Sequence, residues 1–172
     1  MKNSLEETAV FIVQAIKQFC FGFDLMNELS ESFEDGSAGK AFYLTAIYQY
    51  LAIFYLIDRG SNPMGGMFYP ALKGHNLEYL LDPIQQLLDS KLGNTTFGEV
   101  LRIYRNYAIV HTTYNISDLD RIYREVDMQS PDVQENWQNL LLQLFLETRT
   151  LGVRVAEASG VPLSDFGIEE AF

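Results

Sequence analysis

From Ala41 to Ile57 the chain runs for 17 residues without a charged side chain, between Lys40 and Asp58. A run of that kind belongs either in a membrane or at the centre of a helical protein. As an α-helix it reaches about 25 Å, short of the roughly 30 Å hydrocarbon core of a bilayer. It also carries Thr45, Gln49, Tyr43, Tyr48, Tyr50 and Tyr55, which suit a wet or packed protein better than lipid. The run therefore predicts a central core helix from about Ala38 to Asp58, apolar nearly all round because several neighbours cover it. The aromatic stripe Tyr43, Tyr48, Phe54 and Tyr55 is read as core rather than as a cofactor box.

Helical periodicity continues on both sides. Leu5, Ile12, Ile16, Phe19, Phe23 and Met26 recur at three-, four- or seven-residue steps and predict a first helix from Ser4 to about Phe33. Glu6 and Glu7 suit its first turn, and Ser37 is placed to cap the second helix. Gly60 to Gly74 reads as a loop, broken by Pro63, Gly65, Gly66 and Pro70, with part of it packing down through Phe68 and Leu72. Asn76 to Ser90 reads as helical with a boundary at Pro83, where Asp82 is the expected cap. His75 is expected either to cap that helix or to sit in water.

Gly93-Asn94-Thr95 is a turn, and Thr96-Phe97-Gly98-Glu99 is a capping box opening a helix to about Thr113. Ser117 caps a short helix from Asp118 to about Asp127. Ser130-Pro131 starts a last long helix that ends near Ser159-Gly160, with Trp137, Leu140, Leu141, Leu144, Phe145, Thr148, Leu151 and Val155 on one face. No useful stretch alternates with period two. The expected fold is all-α, an antiparallel helical bundle of five to six helices over residues 1–158, followed by an acidic C-terminal tail over 159–172.

Composition narrows the function. The chain has 172 residues, 48% of them hydrophobic, so it can bury a core of its own. Twelve Lys and Arg against twenty-three Asp and Glu give a net charge of −11, which argues against coating nucleic acid or anionic membrane by bulk charge. The acidic start at Glu6-Glu7 does not suit a secretory signal, and Cys20 has no partner cysteine, so a cytoplasmic setting is expected. Cys20, among Phe19, Phe21 and Phe23, reads as a small buried hydrophobe. The sequence shows no P-loop, no Gly-x-Gly-x-x-Gly, no paired Glu-x-x-His and no Gly-x-Ser-x-Gly. No metal or cofactor is expected.

One constellation stands apart. Between Lys91 and Arg124 five bases (Lys91, Arg102, Arg105, Arg121 and Arg124) face three acids (Glu99, Asp118 and Asp120), a net +2. The remainder has seven bases and twenty acids, a net −13. A cationic island in an acidic chain is what a local site for an anionic group needs. Inside it lies Arg105-Asn106-Tyr107-Ala108-Ile109-Val110-His111. On a helix Arg105 and His111 stand about 120° apart and about 9 Å along the axis, so they can line one cleft without stacking on one face. Arginine offers a planar fork of donors for phosphate oxygens, and histidine moves protons near neutral pH. Asn106 can orient either group or a ribose hydroxyl. Such a set suits RNA cleavage without a metal.

The stretch resembles the HEPN superfamily (higher eukaryotes and prokaryotes nucleotide-binding), small all-α bundles marked by Arg, a polar residue, and His a few positions on. Arg105, Asn106 and His111 match that pattern. The resemblance implies a homodimer in which two copies of the motif form one cleft, and an endoribonuclease of a toxin–antitoxin or defence system. It implies Arg105, Asn106 and His111 as catalytic residues and an antitoxin as protein partner; Arg102, Arg121 and Arg124 of the cationic island are the candidate RNA- or phosphate-binding residues, with ordinary surface charges as the alternative.

A second class stays open. His111 can instead satisfy its ring near a helix end, and Arg105 can bridge to a carboxylate of a neighbouring helix. The chain would then be a non-catalytic interaction or ligand-binding module, a helical homodimer that the net charge of −11 also suits. The two classes differ in whether the Arg–His pair faces a solvent-accessible cleft.

Overall fold

The computed structural model describes residues 3–30, 36–58, 66–105, 126–127, 130–162 and 164 (the backbone alone for 24–30 and 36–45). Among them the fold is an all-α helical bundle with one small hairpin. Six α-helices follow in order: α1 Leu5–Ser30, α2 Gly36–Ile57, α3 Phe68–Lys73, α4 Asp82–Leu88, α5 Phe97–Arg105 and α6 Pro131–Ser159. A 3₁₀ turn, Glu78–Leu81, leads into α4, and strands β1 Lys91–Leu92 and β2 Thr95–Thr96 precede α5. No helix among the described residues is long and apolar enough to cross a membrane.

The chain divides into two compact units, one of residues 1–80 with 148–172 and one of residues 81–147. In the first unit α1 opens with a full reciprocal capping box. The Ser4 backbone N–H donates to Glu7 Oε2 at 2.8 Å, and the Glu7 N–H donates to Ser4 Oγ at 3.1 Å. The pattern Ser-x-x-Glu was there to be read, and it satisfies two donors that a helix start otherwise leaves open. Ala9, Ile12, Val13, Ile16, Phe19 and Cys20 form the buried face of α1. Phe19 and Phe23 pack edge-on against Tyr50 of α2, with ring centroids 5.6 and 4.9 Å away. Near the start of α1, Phe11 meets Phe68 of α3 at 5.8 Å, and at the end of α2 the Tyr55 carbonyl accepts the Gly66 N–H at 2.9 Å, just before α3. The start of α1 and the end of α2 thus reach the same short helix, which makes the pair antiparallel.

Several expectations are corrected here. Gly60 to Gly74 is not all loop: its second half forms α3, with Pro70 in the first turn, where its missing N–H costs nothing, and with Phe68 and Leu72 fully buried. The second helix begins at Gly36, so Ser37 lies inside it rather than at its cap. It is also not covered all round. Leu51, Phe54 and Ile57 are buried, whereas Tyr48 is 51% exposed and Ala52, one turn on, shares that open stripe. Tyr43 and Met26 lie outside the described side chains. His75 neither caps α4 nor stands in water: it is half-buried, with Nε2 3.2 Å from Thr8 Oγ1. Asp82 is the first residue of α4, not its cap. Leu81 holds the cap position without a side-chain bond, because the preceding 3₁₀ turn runs straight into the helix.

In the second unit the predicted turn at Gly93 closes a hairpin that periodicity could not show, because each strand has only two residues. Lys91 pairs with Thr96 and Leu92 with Thr95. Gly93 has φ 61°, the positive value that the first central residue of a II′ turn requires. The last helix starts at Pro131 and stops before Gly160, as its sequence predicts. Trp137, Leu140, Leu141 and Leu144 are buried in the second unit, and Thr148, Leu151 and Val155 in the first. The short helix expected over 118–127 falls outside the described residues, apart from Val126, which is buried, and Asp127, which is exposed.

Candidate functional site

The site residues that the structure describes are carried by α5, whose start is held twice. The Phe97 N–H donates to the Ser90 carbonyl across the hairpin at 2.8 Å, and the Glu99 N–H donates to Thr96 Oγ1 at 3.3 Å. The second bond is the predicted cap, a contact whose loss typically costs about 1 kcal/mol. The Glu99 carboxylate turns forward to Arg102, whose Nη1 lies 2.6 Å from Oε2. Gly98 brings α5 close to α4: a Cβ there would lie 3.0 Å from the Leu88 carbonyl oxygen and 3.1 Å from the Leu88 Cβ.

At 100° per residue, Phe97, Val100, Leu101, Tyr104 and Arg105 fall on one arc of the helix. Phe97, Val100 and Leu101 are fully buried, and Arg105 itself is only 3% exposed. Phe97 and Tyr104 both pack on Trp137 of α6, with ring centroids 5.5 and 6.0 Å away. Asn136, beside that tryptophan, donates from Nδ2 to the Lys91 carbonyl at 3.2 Å and fastens α6 to the hairpin.

The three described members of the cationic island therefore differ in environment. Lys91 is exposed on the hairpin, Arg102 is about one-third exposed and paired with Glu99, and Arg105 is buried. Arg105 is the one lysine or arginine buried among the described residues. An arginine keeps its charge even when removed from water, and an uncompensated buried charge costs several kcal/mol. Its burial thus marks a position where the surroundings are arranged around a cation. Asn106, His111, Arg121 and Arg124 lie outside the described residues, so Arg105 and Arg102 are the part of the predicted site that the structure places.

One polar group packed against this arc was hidden by its residue type. Trp137 reads in the sequence as a member of an apolar face, and it is 97% buried, yet its indole Nε1 has no hydrogen-bond partner. Tryptophan N–H groups usually find an acceptor when buried. Only the three-dimensional burial reveals the missing acceptor. Among the described residues no group of three or more His, Cys, Asp or Glu is placed to hold a metal ion. No family model matches the chain, and neither does any curated protein or solved structure.

Proposed function

We propose that this chain is a HEPN-like cytoplasmic protein that cleaves RNA without a metal, acting as a homodimer within a toxin–antitoxin or defence system. The observation that carries the reading is the Arg105-Asn106…His111 pattern inside a cationic island of an otherwise acidic chain, with Arg105 on a doubly anchored helix.

In the reaction, the ribose 2′-oxygen attacks the adjacent phosphorus and the P–O5′ bond breaks. The products are a 2′,3′-cyclic phosphate and a 5′-hydroxyl end. His111 takes the 2′ proton or supplies the proton that the leaving 5′-oxygen needs. Arg105 neutralises the charge on the non-bridging oxygens, and Asn106 orients the ribose or the imidazole. Arg102, Arg121 and Arg124 hold flanking phosphates. The partners implied are RNA, a second copy of the chain and an antitoxin protein.

The burial of Arg105 favours a second reading. At 3% exposure Arg105 is withdrawn from any open cleft, as expected of a non-catalytic interaction or ligand-binding module. The two readings separate in an RNA cleavage assay with pure protein and a chelator, run beside His111→Ala. The enzyme reading expects cutting by the wild type, cyclic-phosphate ends, and no cutting by a folded variant. Absence of cutting on several RNAs at high protein concentration overturns it, and so does equal cutting by both proteins.

A further inference from the structure

We propose that the open face of α1 is a docking surface for a second copy of this chain, with the two α1 helices lying antiparallel. The proposal rests on the homodimer part of the reading above, which it deepens, and it uses no residue of the Arg105 site.

From Thr8 to Gly22 the helix carries one charged side chain, Lys17, which is half-buried. At 100° per residue, Val10, Phe11, Gln14, Gln18 and Phe21 fall within about 100° of arc, opposite buried Ile12, Ile16 and Cys20. All five are exposed, Phe21 at 59%, Val10 at 43% and Phe11 at 39%. The solvent face of an amphipathic helix normally collects its charges. Here it collects two phenylalanines, a valine and two neutral amides, the charge-poor, aromatic composition of an interface centre.

The order of these residues identifies the occupant. Phe11, Gln14, Gln18 and Phe21 read the same in both directions about Ile16. In an antiparallel pair whose two-fold axis is level with Ile16, Phe11 of each copy comes level with Phe21 of the other, and Gln14 with Gln18. A two-fold contact requires such self-complementarity, because one patch must fit itself. Glutamine carries both donors and an acceptor, so the central residues can bond amide to amide. Charge points the same way. Each copy has a net charge of −11, and a charge-poor face is where two such copies approach with least repulsion. The stripe from Phe11 to Phe21 is about 15 Å long at 1.5 Å per residue. A helix face of that length covers less than the roughly 800 Å² per partner of a standard stable interface, so the dimer is weak and reversible.

Sedimentation equilibrium of the whole chain tests this. The weight-average mass should rise from 19.6 kDa toward twice that value between about 1 μM and about 1 mM, the range of weak dissociation constants. Added salt should strengthen the dimer, since it screens the repulsion between two acidic copies. Phe21→Glu, and separately the double variant Gln14→Glu with Gln18→Glu, should keep wild-type helicity, because all three side chains are exposed. Both should stay at 19.6 kDa over the same range. Mixing the double-glutamate chain with one carrying Gln14→Lys and Gln18→Lys should restore the dimer. A wild type that is monomeric throughout overturns the proposal. So does a dimer that survives Phe21→Glu, that salt dissociates, or that fails to re-form in the glutamate–lysine mixture. RNA cleavage by a wild type that stays monomeric sinks this proposal and leaves the ribonuclease reading standing. A dimer that Phe21→Glu breaks but that cuts no RNA does the reverse.

Discussion

Thr8 Oγ1 and His75 Nε2 lie 3.2 Å apart across 67 residues of chain, joining α1 to the turn that follows α3. Thr8 is 3% exposed, and its own N–H is held by the Ser4 carbonyl at 3.0 Å, so the hydroxyl is presented from a rigid turn. Thr8→Val keeps the shape and removes the bond. It should lower stability by about 1 kcal/mol, with Thr8→Ser losing less. Urea unfolding measures both, and a Thr8→Val midpoint equal to wild type would show that the bond contributes nothing.

Two glycines predict opposite outcomes for the same substitution. A Cβ on Gly98 would meet the backbone oxygen and Cβ of Leu88, which can yield only if α4 and α5 part. Gly98→Ala should therefore cost about 1–3 kcal/mol despite the better helix propensity of alanine. A Cβ on Gly22 would meet the carboxamide end of Gln49 at 2.9–3.2 Å, the far end of a flexible side chain that can swing away. Gly22→Ala should be neutral or stabilising by up to about 1 kcal/mol. Thermal denaturation of the two variants side by side checks the ranking; the reverse order would refute the packing argument.

Burial pushes the Tyr50 hydroxyl well above the ordinary tyrosine value of about 10. The unfolded chain then releases this proton before the folded one does. Stability from this source is complete below pH about 10 and falls as pH rises from there toward the folded value. Tyr50→Phe should flatten that alkaline loss while changing little at pH 7. Denaturant unfolding at pH 8, 10 and 11 reads the slope, and identical slopes in both proteins would contradict the assignment.

Arg105 carries one prediction for stability and one for activity, the latter read well below the variant's Tm. Arg105 has an interaction partner, and removing one member of a buried polar or charged pair costs about 1–5 kcal/mol, because the other is left unsatisfied. Arg105→Met should therefore fold with a lower Tm, and Arg105→Lys, which keeps the charge, should lose less. If Arg105 stabilises charge on the reacting phosphate, Arg105→Met should lose about 100-fold or more in RNA cleavage. A variant that cleaves normally removes Arg105 from the mechanism.

Most of the helices were legible because apolar spacing, caps and breakers act locally. Ser130-Pro131 before α6, Gly160 after it and Thr96 ahead of α5 each do their work within one turn of chain. The hairpin at Lys91–Thr96 was not legible, since two-residue strands carry no periodicity and rest on the Gly93 turn and on packing. Nor was α3, where Pro70 and the surrounding glycines read as breakers until the burial of Phe68 and Leu72 outweighed them.

At the site the division is sharper. The residue pattern from Arg105 to His111 and the charge island around it are properties of the sequence alone. That Arg102 is tied to Glu99, that Arg105 turns into the buried arc, and that Trp137 closes on that arc with an unpartnered N–H belong to the tertiary structure. The reason is physical. Helix propensity and capping depend on neighbours in sequence, whereas burial, desolvation of a charge and satisfaction of a donor depend on which helices pack together.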